Sequence, residues 1–142
     1  MCLPCTILFP TVIHVYVMFL AQVIGCHAKP FNKTVPTGLF PYQYPDDNGE
    51  SCTCHYDVEH YCIATCASNI RYHEVRFQYG KGTTIVSCSA GNSVLGCNIF
   101  LHDAPSDSTE CYTWSVKDAH SCECYSGTEM GATCYALCGQ II

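Results

Sequence analysis

Fourteen of the 142 residues are cysteine, and their spacing is the first chemistry the chain offers. Residues 52–66 read C-T-C-H-Y-D-V-E-H-Y-C-I-A-T-C, and residues 122–138 read C-E-C-Y-S-G-T-E-M-G-A-T-C-Y-A-L-C. Both have the form Cys-x-Cys, a short polar loop, then Cys-x-x-x-Cys. This is an internal repeat, more specific than either copy alone. Cys52, Cys54, Cys62 and Cys66, with His55 and His60 among them, could supply thiolates to zinc. Structural zinc sites, however, space a ligand pair by about two to four residues, and Cys-x-Cys is tighter. Cysteine at about a tenth of a chain is the level of secreted disulfide scaffolds. Disulfide formation is therefore the sulfur chemistry expected. A catalytic thiol would need a free thiolate, and no Gly-x-Ser-x-Gly, His-Glu-x-x-His or phosphate loop occurs. The reading is a non-enzymatic chain with no cofactor and no metal.

The elements that must position these cysteines are strands. In each Cys-x-x-x-Cys, alternation puts Cys62, Ala64 and Cys66 on one face, and Cys134, Ala136 and Cys138 likewise. Between the repeats, Tyr72–Tyr79 alternates, with Val75, Phe77 and Tyr79 on one side. Gly80-Lys81-Gly82 turns into Thr83–Cys88, and Ala90-Gly91-Asn92 turns into Val94–Leu101. Residues 103–110 hold Pro105 and read as an exposed loop. Cys111–Val116 follows, with Trp114 on its apolar face and expected in the core. No segment has convincing helical periodicity. The fold class expected is all-β: a small disulfide-rich antiparallel β-sandwich, jelly-roll-like, with no substantial helix apart from a signal segment.

The N-terminal run is apolar from Ile7 to Gly25 and reads as a signal peptide over residues 1–25. Candidate cuts follow Gly25 or Ala28. The first leaves twelve cysteines; the second leaves eleven, and so an odd thiol. A signal anchor is the alternative. Either puts the remainder in an oxidising compartment, secreted and extracellular. Residues 26–50 read as a Pro-rich linker, with Pro30, Pro36, Pro41 and Pro45 interrupting regular structure. Asn32-Lys33-Thr34 is the one glycosylation sequon, and Asp46-Asp47-Asn48-Gly49 is a turn sequence. Residues 51–142 form the cysteine-rich β module.

Six basic against twelve acidic residues, net −6, argues against nucleic acid as a partner. No membrane insertion of the mature chain is expected. Tyrosine exceeds what a small core needs and is favoured at recognition surfaces. Tyr56, Tyr61 and Tyr125 are the candidate binding surface. His55, His60, His73, His102 and His120 could titrate together near endosomal pH, but scattered exposed histidines are the reading preferred.

Val86-Ser87-Cys88-x-x-Gly91-x-x-Val94-Leu95-Gly96-Cys97 resembles the start of the cysteine-rich module of resistin and the resistin-like hormones. It is similar, too, to the modules in the C-terminal domain of the LDL-receptor-degrading subtilisin/kexin-type convertase. The match continues in register through Cys111, Trp114, Cys122-x-Cys124 and Gly131-Ala132-x-Cys134, covering roughly Cys66–Cys138. The resemblance implies a jelly roll with Cys66–Cys138, Cys88–Cys134 and Cys97–Cys122, leaving Cys111 to take Cys124. Cys54–Cys62 and Cys26–Cys52 would complete the pairing. This sequence departs from the hormones in its separated Cys134 and Cys138, and it has no helix for a coiled coil. Cys52, Cys54 and Cys62 fall outside the matched core, as the remnant of a preceding module.

The functional expectation is a secreted module binding an extracellular protein or glycan. The alternatives are a resistin-like soluble hormone or effector, with a disulfide-linked oligomer through Cys26, and a structural matrix component.

Overall fold

The computed structural model describes residues 13–16, 21–32, 34, 42–102, 112–127 and 131–142. Eleven strands lie among them: β1 Ile13–Tyr16, β2 Ala21–Pro30, β3 Tyr42–Pro45, β4 Ser51–His55, β5 His60–Ser68, β6 Ile70–Lys81, β7 Thr83–Ser87, β8 Ser93–Leu101, β9 Thr113–Asp118, β10 Ser121–Tyr125 and β11 Gly131–Ile141. No described residue is helical. The strands form four antiparallel sheets, ordered β1-β4-β3, β2-β5, β7-β10-β9 and β6-β11-β8. The expected all-β, disulfide-rich architecture is present. Its local cause is alternation: β5 and β7 bury every second residue along most of their length, which only a period of two can do.

The chain folds as the same unit twice. In the first unit β4 lies between β1 and β3, and β2 pairs with β5. In the second, β10 lies between β7 and β9, and β8 pairs with β11. The registers correspond too. Cys26 faces Ala64 and Ala28 faces Cys62 in the first; Cys97 faces Ala136 and Ile99 faces Cys134 in the second. The Cys-x-Cys of each copy sits on the middle strand of its three-stranded sheet. Both modules are stapled alike, by Cys26–Cys52 with Cys54–Cys62 and by Cys97–Cys122 with Cys124–Cys134. Sγ of Cys52 lies 3.4 Å from the carbonyl of Gly25, and Sγ of Cys122 lies 3.5 Å from that of Gly96. Cys52, Cys54 and Cys62 thus belong to a whole module rather than to a remnant of one. The second module adds β6 to its β8–β11 sheet, and its Cys138 is joined to Cys88; Cys66, the counterpart of Cys138 in the first module, is disulfide-bonded too.

Three expected pairings change. Cys88 joins Cys138 and Cys124 joins Cys134, in place of Cys66–Cys138 and Cys88–Cys134. The reason is position. β10 faces β11 across the sandwich, so Cys124 and Cys134 come to 5.7 Å between Cα atoms, the normal span of a disulfide. Cys124 is therefore engaged and is not the partner of Cys111, which itself lies outside the described residues. Cys97–Cys122, Cys54–Cys62 and Cys26–Cys52 are formed as expected. Cys66 is disulfide-bonded as well, and its partner is none of these ten. Cys26, weighed as a link between chains, is joined to Cys52 of its own chain. Because Cys52, Cys54 and Cys62 are oxidised, they present no thiolates, and the zinc reading of that cluster falls. No group of His, Cys, Asp or Glu among the described residues is placed to hold a metal.

Each module has its own core. Val23, Cys26, Ala28, Cys52, Cys54, Tyr56, Cys62, Ala64 and Leu137 pack in one; Val86, Ile99, Leu101, Cys122, Cys124, Ala132, Cys134, Ala136 and Cys138 in the other. β11 is buried on both faces, and Leu137 points into the first core while its neighbours line the second. The region read as a linker therefore differs from expectation: it carries the end of β2 and all of β3. Asp46 closes the turn after β3, its Oδ1 accepting from the backbone N–H groups of Glu50 and Ser51. Gly49 sits there at φ +70°, where a Cβ would strike the His73 ring.

Candidate interaction surface

The seam between the modules positions the surface above it. Asn98 on β8 is buried, and its Nδ2 donates to the carbonyl of Gln43 on β3 at 2.8 Å. Its Oδ1 accepts from the backbone N–H of Cys26 on β2 at 3.3 Å. Gln43, also buried, accepts from the N–H of Ala28 at 2.7 Å through Oε1. One polar cluster thus ties β2, β3 and β8 together, as buried polar groups require. Beside it, Gly96 gives way to the carbonyl of Ile24, which a Cβ there would overlap. His73 on β6 bonds the carbonyl of Val23 at 3.1 Å through Nε2.

Rings gather over this seam. The outward register of the second sheet sets Tyr79 opposite Thr133 and Phe77 opposite Tyr135 on one side of β11, and Phe100 opposite Thr133 on the other. From the first module, Tyr42 and Tyr44 approach Phe100 at 5.4 and 5.0 Å between centroids. Phe100 meets His102 at 4.9 Å, and His102 meets Tyr79 edge-on at 5.2 Å. His102 Nε2 also bonds the Thr133 hydroxyl at 2.8 Å. Phe77 lies 6.0 Å from Tyr135. Burial first, then the nearby Asp47 and Tyr44, push the Tyr135 phenol up to about 12, so it stays neutral. Phe77 is 57% exposed and Tyr79 54%. The result is a shelf of aromatic edges on a stapled sheet, with the acidic turn of Asp46 and Asp47 beside it. Exposed apolar area concentrated in this way marks interaction surfaces.

The tyrosines singled out from sequence are not brought together. Tyr56 is 6% exposed and lies in the first core, so it is removed from the candidate surface. Burial, and then Tyr112 nearby, raises its pKa. Tyr61 is exposed on β5 and packs its ring 4.2 Å from that of Phe31. Tyr125 is exposed at the end of β10. Trp114 is not a core residue. It shares a face with Cys124, but β9 is the edge of its sheet, and the ring is 37% exposed, stacked on Tyr112. Of the five histidines singled out, His60 is buried and the others are dispersed over β4, β6, the bend just after β8 and the β9–β10 turn. Asn32 is exposed just beyond β2; Lys33 of its sequon lies outside the described residues, as does the 103–110 loop.

The shelf residues could have been found in part. Val75, Phe77 and Tyr79 share a face by simple alternation, but nothing local says that the face is left half open. Tyr42 and Tyr44 count among the tyrosines in excess of a small core, but the prolines around them leave no strand pattern that would place them beside Phe100. The chain matches no family model, no curated protein and no solved structure.

Proposed function

We propose that this chain is a secreted, non-enzymatic module that binds an extracellular protein or glycan, as the resemblance to resistin-like modules implies. The observation that carries the reading is the aromatic shelf on the second module. Phe77 and Tyr79 stand more than half exposed beside Phe100 and His102 on a sheet held by disulfides. Rigid, exposed aromatics lose little entropy on binding and serve as anchors in interfaces. An oxidising, extracellular setting agrees with five disulfides among the described residues.

The test is binding of labelled protein to a panel of cell surfaces and to arrayed glycans, wild type beside Phe77→Ala/Tyr79→Ala. Both side chains are exposed, so the double variant keeps its fold and its non-reducing mobility. At about 2 kcal/mol or more for an aromatic anchor, binding falls by more than tenfold. Equal binding by both proteins removes the shelf from the reading, and binding to nothing on either panel removes the reading itself.

A further inference from the structure

The apolar stretch that the sequence offers as a leader contains β1 and the first half of β2. We infer that Ile13–Pro30 is retained in the mature, folded protein as two strands of the first module, so that any leader cut falls N-terminal to Ile13.

Packing supports this. β1 pairs with β4 from Ile13 opposite Cys54 to Tyr16 opposite Ser51. β2 continues through both candidate cuts, with one register shift between Val23 and Gly25, and sets Gly25 opposite Thr65 and Ala28 opposite Cys62. Val23 has no exposed surface and belongs to the first core. Its N–H donates to the Gly49 carbonyl at 2.9 Å, and its own carbonyl receives His73 Nε2. Removing residues up to Gly25 would empty a core position and leave the Gly49 carbonyl and the His73 ring without these partners. A group orphaned in this way costs the full price of its desolvation.

The internal repeat supports it independently. Val23-Ile24-Gly25-Cys26 in β2 matches Val94-Leu95-Gly96-Cys97 in β8, at equivalent places in two modules with the same strand order. Both strands carry a half-cystine to the Cys-x-Cys strand of their own module. A disposable leader has no reason to share the packing signature of an internal strand. Val23, Cys26 and Ala28 of β2 are buried, and an apolar run that supplies such core positions is also what a leader looks like.

The full chain with a C-terminal tag is expressed in a secreting eukaryotic cell. Intact mass and N-terminal sequence are then measured for the tagged protein from the medium and from the cell fractions. A chain that still contains Ile13 is expected; one beginning at Cys26 or Lys29 overturns the inference. An uncut chain confined to the cytosol keeps it and instead overturns the extracellular reading above. As a second measurement, a chain starting at Cys26 is placed behind a foreign cleavable leader. Loss of most of the secreted yield and of the Cys26–Cys52 linkage is expected. Wild-type yield with all five linkages intact shows that β1 and the start of β2 are dispensable, and sinks the proposal.

Discussion

Asn98→Ala tests the seam that joins the two modules. The substitution removes the donor to the Gln43 carbonyl at 2.8 Å and the acceptor of the Cys26 N–H at 3.3 Å. Asn98 and Gln43 are both buried, so water does not replace what is lost. Two buried groups left unpaired cost about 1–3 kcal/mol each, or about 2–6 together. The Cys26 bond is long and so weaker, which puts the expected loss at about 3 kcal/mol, in the lower half of that range. The assay is equilibrium urea unfolding of the oxidised protein. With a slope of about 1–3 kcal/mol per M, the midpoint falls by about 1–3 M. Gln78→Ala is the control: its amide makes one exposed bond, to the carbonyl of Tyr79, and a surface change of this kind stays within about 0.5 kcal/mol. An Asn98→Ala midpoint as close to wild type as that of the control would refute the seam.

Gly25 and Gly96 are equivalent in the two modules, yet their substitutions diverge. A Cβ on Gly25 meets only the Thr65 side chain, at 3.6 Å, whereas on Gly96 it overlaps the Ile24 carbonyl. Gly96→Ala is expected to cost about 1–3 kcal/mol or more, as overpacking does, and Gly25→Ala little; the same urea midpoints decide. Burial lowers the pKa of His73, and the hydrogen bond to Val23 and the nearby Glu74 carboxylate only partly offset it. The unfolded chain therefore binds a proton that the folded one resists. Its contribution to stability is complete above about pH 6.5 and declines as pH falls below it. Urea midpoints at about pH 7.5 and 5.5 should show that decline in wild type and less of it in His73→Gln; an equal decline in both refutes the assignment. Proteolysis without reduction should release peptides linked as Cys88–Cys138 and Cys124–Cys134, and a Cys88–Cys134 peptide would contradict the fold.

Local sequence determined the class of this protein. Alternation in β5, β6 and β7 specifies strands because side chains on a strand repeat every two residues. The repeated Cys-x-Cys and Cys-x-x-x-Cys specify two half-cystine frameworks because both cysteines of each motif point the same way. The partners were not legible for that very reason. Cys122 and Cys124 share a face, so either could reach across the sandwich, and only the register of β10 against β8 and β11 decides that they meet Cys97 and Cys134. Trp114 and Phe77 lie on apolar faces of strands, but edge position and the seating of the first module leave them open. That is a property of neighbours, which no window of sequence contains. The N-terminal segment shows the same limit from the other side. Hydropathy cannot separate a leader from strands buried in a core. The tertiary structure shows what the segment does in the fold: β1 and β2 pair with β4 and β5 just as β7 and β8 pair with β10 and β11.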